Sequence, residues 1–416
     1  MSTATRAGHP RHIISTGADI RPAPVRARLL SGRFTALLLS SVGALTSFYL
    51  LLSVTPMYAI SAGATSAAAG LLAGSLMLAT VLAEFASPRL LRRYGSRPVF
   101  VAGTLLLGGP ALALLGPHTV TTLVVVSIAR GFGFGLSTVV TGALLATALP
   151  PQRRGEGIGL AGVVSCGPAI VALPSGVWLV GHAGYPAVVV LAAASALAPL
   201  AAVPWLAGPA DGQPSAHPDP APASLLASLR SGGQLRPAVV FVATTVPAGV
   251  VATFLPLAAG RPGGAAAGLF SQALAAAVSR WWAGRYGDRH GHAQLLIPGL
   301  MAAACGMIML LWLAVPAVLI AGMAVFGIGF GISQNATFAV MIERMPVSGY
   351  GTASALWNLA YDAGYGAGPA VFGGLVTGTG YPAAFALTGL LMSAALVPAV
   401  RDRTASRPAP PPPRSG

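Results

Sequence analysis

The sequence predicts an all-α membrane protein, with twelve transmembrane helices arranged as two pseudo-symmetric six-helix bundles. Three observations predict it. Of 416 residues, 55% are hydrophobic and only 8% charged, and mean hydropathy is +0.74. A soluble chain of this length cannot cover its surface with so few charges. The apolar residues gather into runs that reach the roughly 20 residues a helix needs to cross a bilayer. Short phrases also recur at one constant spacing.

Proline, glycine and polar punctuation divides the chain into spans at 34–60, 66–87, 97–116, 119–149, 157–180 and 186–206. A second set follows at 237–258, 264–283, 293–313, 315–343, 350–376 and 382–400. The implied organisation is a basic cytoplasmic tail (1–33), a six-helix half (34–206), a linker (207–236), a second six-helix half (237–400) and a disordered tail (401–416). The linker is rich in Pro, Ala, Ser and Gly, which predicts a flexible connection. The closing RPAPPPPRSG is either plain disorder or a polyproline ligand. The first apolar run is too long for a cleavable signal and follows a long polar stretch.

Every basic residue is arginine, and the net charge is +15. The arginines fall at Arg6 to Arg33, in an 89–97 loop, at Arg153 and Arg154, in 230–236 and 280–289, at Arg344 and in the C-terminal tail. If the spans alternate, these sites share one side of the membrane, and only Arg130 and Arg261 fall elsewhere. Positive charge marks the cytoplasmic side, so both termini are expected there, in the cell (inner) membrane. The charge is then topogenic, and no nucleic-acid partner is expected. Cys166 and Cys305 lie inside apolar runs and read as small buried hydrophobes, with no disulfide or metal site.

The repeat is internal and regular. Gly131, Gly133 and Gly135 in RGFGFGLS return 196 residues later as Gly327, Gly329 and Gly331 in FGIGFGIS. At the same offset Pro150 and Gly155 return as Pro346 and Gly351, and GYPA at 184–187 returns at 380–383. PRLLRRYGS (88–96) returns as GRYGDRHGH (284–292), with Arg92 standing where the second copy has Asp288. Two six-helix units related by duplication suit a transporter whose halves rock around a central site.

At these residues the chain resembles the major facilitator superfamily across 34–400. The family's loop signature, Gly-x-x-x-Asp-Arg-x-Gly, is matched in full by GRYGDRHG (284–291), while the first copy keeps only Arg93 and Gly95. GIGLAGVVSCGPAIVALPSG (157–176) resembles the fifth-helix motif of proton antiporters through Gly159, Gly167, Pro168 and Gly176, without its terminal glycine pair. The fourth-helix motif departs further, with Ser127 at the expected arginine position and Arg130 just before the glycine. The resemblance implies a transporter, in the twelve-helix drug:proton antiporter branch.

The polar residues supply candidates for the machinery. By pseudo-symmetry each repeated phrase should face the opposite half. Asp288, Arg289 and Gly291 would then meet Arg153 and Arg154, and Arg92, Arg93 and Gly95 would meet Glu343, as two cytoplasmic latches of opposite polarity. The alternative is a purely topogenic set of charges. Asp362 lies halfway along the 350–376 span, the costliest depth for a charge, and its repeat counterpart is Cys166. It either carries the coupling proton or is a structural carboxyl bonded to Tyr361 or Asn358. Arg130 either binds an anionic substrate or serves as counter-ion to Asp362. Glu84, whose counterpart is Arg280, either joins the coupling or forms an interfacial pair. Gln334, Asn335, Trp357, Asn358, Tyr361 and Tyr49 are candidate substrate contacts, with helix glue or packing as the alternative. The pairs Gly167–Pro168 and Gly368–Pro369 are candidate flexing points. The glycine ladders permit close helix approach and lack the lysine of a phosphate loop.

These readings favour proton-coupled efflux of a small amphipathic molecule, such as a drug, antibiotic or other metabolite, by a monomer in the lipid bilayer. No cofactor is expected beyond the proton gradient. Uptake of a sugar or organic acid with protons is the alternative, since the fold serves both directions. Sugar symporters carry more buried acids and amides, which ranks uptake second. No nucleophile–base pair, metal cluster or nucleotide-binding loop supports an enzyme or an ATP-driven pump.

Overall fold

The computed structural model describes residues 31–116, 119–149, 154–206, 232–346 and 349–405. Most of the basic tail, most of the linker, Arg153 and the end of the C-terminal tail lie outside the described residues, and Arg154 is described in its backbone alone. The rest is helical. The helices are α1 (Gly32–Ser61), α2 (Ser66–Tyr94), α3 (Ser96–Gly108), α4 (Val120–Ala148), α5 (Arg154–Leu197) and α6 (Gly232–Ala258). They continue as α7 (Pro262–His290), α8 (Leu296–Met309), α9 (Pro316–Glu343), α10 (Tyr350–Thr379), α11 (Tyr381–Met392) and α12 (Leu396–Ala405). These labels do not follow the span count. The expected spans 157–180 and 186–206 both begin within α5, which Gly184 interrupts with φ 78° and ψ 173°. The last span, 382–400, is shared between α11 and α12.

Helix starts follow local chemistry. Ser31, Thr65 and Thr119 cap α1, α2 and α4 by accepting from the backbone N–H groups of Phe34, Ala68 and Thr122. α7 and α9 begin with Pro262 and Pro316, where a missing N–H costs nothing. Among the described residues, nine stretches are long and apolar enough to cross a membrane. α7 and α10 are not among them. The first is diluted by Ala, Gly and its polar end, and the second carries Asn358, Asp362, Tyr361 and Tyr365. One expectation needs correction: 89–97 is not a loop. α2 runs through Arg92 and Arg93 to Tyr94, and α7 likewise runs through Asp288 and Arg289. Gly95 and Gly291 make the turns, with φ of 80° and 90°. The left-handed backbone there suits glycine, which has no Cβ to clash.

The offset seen in the sequence reappears in the backbone. Among the described residues the positive-φ positions are Gly63, Gly95, Gly184, Gly260, Gly291 and Gly380. Two pairs, 95 with 291 and 184 with 380, are 196 apart, and 63 with 260 slips by one. Packing repeats too. A Cβ on Gly131 would strike the Leu76 carbonyl, and one on Gly327 the Gln272 carbonyl, again 196 on. Gly133 and Gly329 press against the Leu107 and Ala303 amides, and Gly135 and Gly331 against the Thr80 and Ala276 carbonyls. The ladders therefore seat α4 on α2 and α3, and α9 on α7 and α8, in one repeated geometry.

A second glycine seam joins α2 to α10. Gly70 faces the Pro369 carbonyl, Gly74 the Gly366 carbonyl and Ala370, and Gly373 the Ser66 carbonyl. At the same end the Ser53 hydroxyl donates to the Ala252 carbonyl, and the Ser66 and Tyr381 hydroxyls lie 3.4 Å apart. Phe48, Leu52, Met77, Phe254, Tyr365 and Phe372 belong to one continuous apolar core there. α4 lies on α1, α2 and α3, and α9 on α6, α7 and α8, with no packed seam between α4 and α9 among the described residues.

Alanine at Gly133 or Gly329 should force α3 or α8 away, lowering stability by about 1–3 kcal/mol in detergent thermal melts. Gly142→Ala, with open space around its Cβ, should leave the midpoint unchanged. Equal behaviour of all three variants would show that the ladders do not set the helix spacing.

Candidate functional site

Five helices bring the polar residues together where α2 passes α10. Asp362 on α10 is 8% exposed, and its carboxyl neighbours that of Glu84 on α2. Beside them Tyr49 on α1 and Tyr361 on α10 are neighbours, and both border Asp362. Arg280 on α7 and Cys166 on α5 also lie within electrostatic reach of Tyr49. Helix periodicity explains the convergence. Asp362 shares a face with Asn358 and Tyr365, four residues before and three after it. That face is opposite Ala363, Ala367 and the 73%-exposed Val371.

An aromatic wall continues from the pair. Trp357, Tyr361 and Tyr365 follow one another along α10, with ring centroids 6.1 and 5.4 Å apart. Phe241 of α6 stacks on Trp357 at 4.5 Å, and Phe338 of α9 meets it edge-on at 5.4 Å. The Trp357 indole N–H donates to the Thr337 hydroxyl at 3.2 Å, which fixes the ring. Gln334 on α9 accepts from Arg280 at 3.5 Å. Asn335 turns instead toward Gly284 of α7.

Exposure shows where this group opens. Arg280 lies on the same face of α7 as buried Ala273, Ala276, Ala283 and Gly287, yet is itself exposed. Asn358 is exposed on the Asp362 face of α10, and Gly162 is exposed one turn before Cys166 on α5. These positions lie toward the end of the bundle where α7 terminates and α5 and α10 begin. Exposed positions on these inward-turned faces outline a cleft toward the carboxyl pair, and beyond the pair the glycine seam packs α2 against α10.

Several expected roles change. Arg130 is not a counter-ion to Asp362. It is 2% exposed and donates to the carbonyls of Leu107 at 2.9 Å and Ser47 at 3.0 Å. It ties α4 to α3 and α1 because its helix face turns into that side of the bundle. Glu343 does not meet Arg92. Its carboxylate accepts from the His292 ring at 2.7 Å, and Asp288 lies 3.7 Å from the other ring nitrogen. α7 and α9 pack along their length, so their ends find each other first. Arg92, Arg93 and Arg289 are exposed, and the pairing of Asp288 with Arg153 or Arg154 involves side chains outside those described. Gly167 and Pro168 border an apolar groove of about 510 Å³ between α1 and α5. Gly368 presses on the Val246 carbonyl and the Pro369 carbonyl on Gly70, so this pair is a packing point.

The sequence reading gave no role to His292, Tyr365, Phe241 or Thr337. His292 closes the GRYGDRHGH phrase four residues after Asp288, a spacing that carries no pairing signal in a loop.

A transmembrane helical fold with an interfacial polar cluster defines a multi-pass transporter. The Major Facilitator Superfamily model matches residues 37–369, and the chain belongs to that family. Two curated relatives, facilitated glucose transporter member 12 of solute carrier family 2 from Macaca fascicularis and from Homo sapiens, are 35% identical over 81 residues. That match covers 20% of this chain and 13% of each relative. Solved structures resemble the whole bundle. A POT family transporter bound to a thioalcohol-conjugated peptide has TM-score 0.75 at 12% identity, covering 90% of this chain and 96% of its own. The nucleoside transporter NupG has TM-score 0.69 at 12% identity, covering 90% and 100%.

Replacing Arg130 with Met strands two buried carbonyls and should cost on the order of 3 kcal/mol in detergent melts. A variant that melts like the parent yet loses pH-driven transport would restore its role as a counter-ion.

Proposed function

We propose that the chain is a proton-coupled exporter of a small amphipathic organic molecule, working by alternating access in the cytoplasmic membrane. The structural frame of this reading is a pair of six-helix halves. α5 counted on both sides of Gly184, α11 joined to α12, and α7 and α10 included give twelve crossings. The 196-residue offset in glycine conformation and ladder packing supports the duplication. Arginine placement supports cytoplasmic termini, and the cleft then opens to the cytoplasm.

One observation carries the coupling: the Glu84 and Asp362 carboxyls are neighbours across the α2–α10 contact. Ionised carboxylates only accept, so a bond between two of them needs a proton held by one. With that proton the pair draws α2 and α10 together. Without it two like charges face each other and push the helices apart. Proton occupancy is thereby linked to the closeness of the halves, and a cargo that prefers one arrangement is moved by the gradient. The aromatic wall of Trp357, Tyr361 and Tyr365, with Gln334 and Asn358 near it, suits a cargo with an apolar body and a polar group. Asn335 is assigned to helix packing. At the cleft mouth, closure would let Glu343 exchange His292 for Arg92.

Uptake with protons is the second reading. The nucleoside and peptide transporters among the structural neighbours, and the short likeness to glucose transporters, are the observations on its side. At 12–16% identity such structural likeness carries the fold and not the cargo.

Inverted membrane vesicles with an imposed pH gradient separate the two, using a panel of fluorescent and antibiotic cargoes. Export predicts accumulation that collapses with the gradient. Asp362→Asn and Glu84→Gln should each abolish accumulation while leaving cargo exchange. Full accumulation in both variants removes the carboxyl pair from the mechanism. For the cleft mouth, Arg92→Glu and Glu343→Arg should each slow transport at least several-fold, and the double variant should recover most of the rate. A double variant no better than the singles ends the idea of that latch.

A further inference from the structure

We propose that the cleft selects cargo bearing one negative charge, a carboxylate attached to an apolar aromatic body, and that Arg280 is the residue that binds it. This rests on the transport reading of the same cleft and narrows its substrate class. The argument begins with the face of α7. Ala273, Ala276, Ala283 and Gly287 are buried around Arg280, so the side chain leaves an inward-turned surface. Its exposure is therefore to the cleft, not to the lipid-facing side marked by Leu274, Val278 and Trp281.

The guanidinium is poorly satisfied by the protein. Among the described residues its side-chain contact is a 3.5 Å bond to Gln334, at the outer limit for a hydrogen bond. Among the described residues it forms no ion pair, although Glu84 and Asp362 stand on the same cleft. Those two carboxyls neighbour each other instead, and Tyr49 is near both Asp362 and Arg280. The titratable and polar groups facing this space are Tyr49 from α1, Glu84 from α2, Cys166 from α5, Gln334 from α9, and Asn358, Tyr361 and Asp362 from α10. Arg280 is the one fixed cation among them.

A guanidinium with unused donors favours a planar carboxylate, which it can hold through two parallel N–H bonds. Gln334 can supply a further donor after its amide turns. The tyrosine and tryptophan rings begin beside the same point and give the apolar body a stacking surface. A cationic amphiphile meets like charge from Arg280, and a neutral one leaves the guanidinium without a partner. The repeat points the same way. Glu84 and Arg280 occupy equivalent positions in the two halves, so the duplication has placed an acid for the proton on one side and a base for an anion on the other.

The test uses purified full-length protein in detergent and three matched probes: 1-naphthylacetate, its neutral amide 1-naphthylacetamide, and cationic 1-naphthylmethylamine. Binding is read by quenching of tryptophan fluorescence and by thermal shift, neither of which requires a gradient. The carboxylate should bind at least tenfold more tightly than the other two. Arg280→Gln should remove that preference, and Arg280→Glu should turn it toward the amine, with melting midpoints of the unliganded variants near that of the parent. Arg280→Lys should keep the sign of the preference with weaker binding. Equal affinity for the three probes, binding by none of them, or a carboxylate preference that survives Arg280→Gln would overturn the assignment. Selective binding without gradient-driven transport in vesicles would instead leave this site standing and remove the proposed coupling.

Discussion

A carboxyl group inside a membrane-spanning bundle must find a hydrogen-bond partner, because lipid and packed apolar side chains offer none. Here the neighbour of Asp362 is another acid, Glu84, on a helix far away in sequence. That contact places α2 against α10, sets Tyr49 against Tyr361 beside it, and leaves Arg280 on the same cleft without an ion pair among the described residues. The arrangement of the polar cluster follows from this single meeting of acids.

The meeting is possible because backbones approach closely. Gly70, Gly74 and Gly373 let α2 and α10 touch with no intervening side chain, and a Cβ at Gly70 would overlap the Pro369 carbonyl. In lipid, helix association rests on van der Waals packing and hydrogen bonds, so small residues at a seam have large effects. The ladders on α4 and α9 do different work. They fix each of these helices to its sequence neighbours, while the α2–α10 seam joins distant parts of the chain. No such seam links α4 and α9 among the described residues, and the exposed inner-face residues lie toward the end where α7 terminates and α5 and α10 begin. On the proposed reading, moving the closed end of this contact from one side to the other is the transport step.

Much of the fold was legible because hydropathy and helix length are local properties. The Ser31, Thr65 and Thr119 caps, the first-turn prolines of α7 and α9, and the glycine turns at 95, 184, 291 and 380 all act within a few residues. The polar phrases were harder. Arg92 and Glu343 were expected to pair on the strength of opposite charge and pseudo-symmetry, yet Glu343 bonds to His292. Pseudo-symmetry gives equivalent positions, not contacts, and a contact also depends on how the halves are tilted. Arg130 carried the cost of a buried charge in the sequence, but only its rotation toward Leu107 and Ser47 showed that carbonyls, not a carboxylate, meet that cost.

By itself the sequence determined that this chain is a membrane protein of long helices with an internal repeat, since length, hydropathy and recurrence need no knowledge of which helices touch. It also singled out Asp362, because a charge at mid-span is costly wherever its helix lies. The tertiary structure decided that its neighbour is Glu84 and that Arg280 shares the cleft. Glu84 and Asp362 stand on helices from different halves of the sequence, as do Tyr49 and Arg280, and only the packing angle and rotation of each helix bring them together.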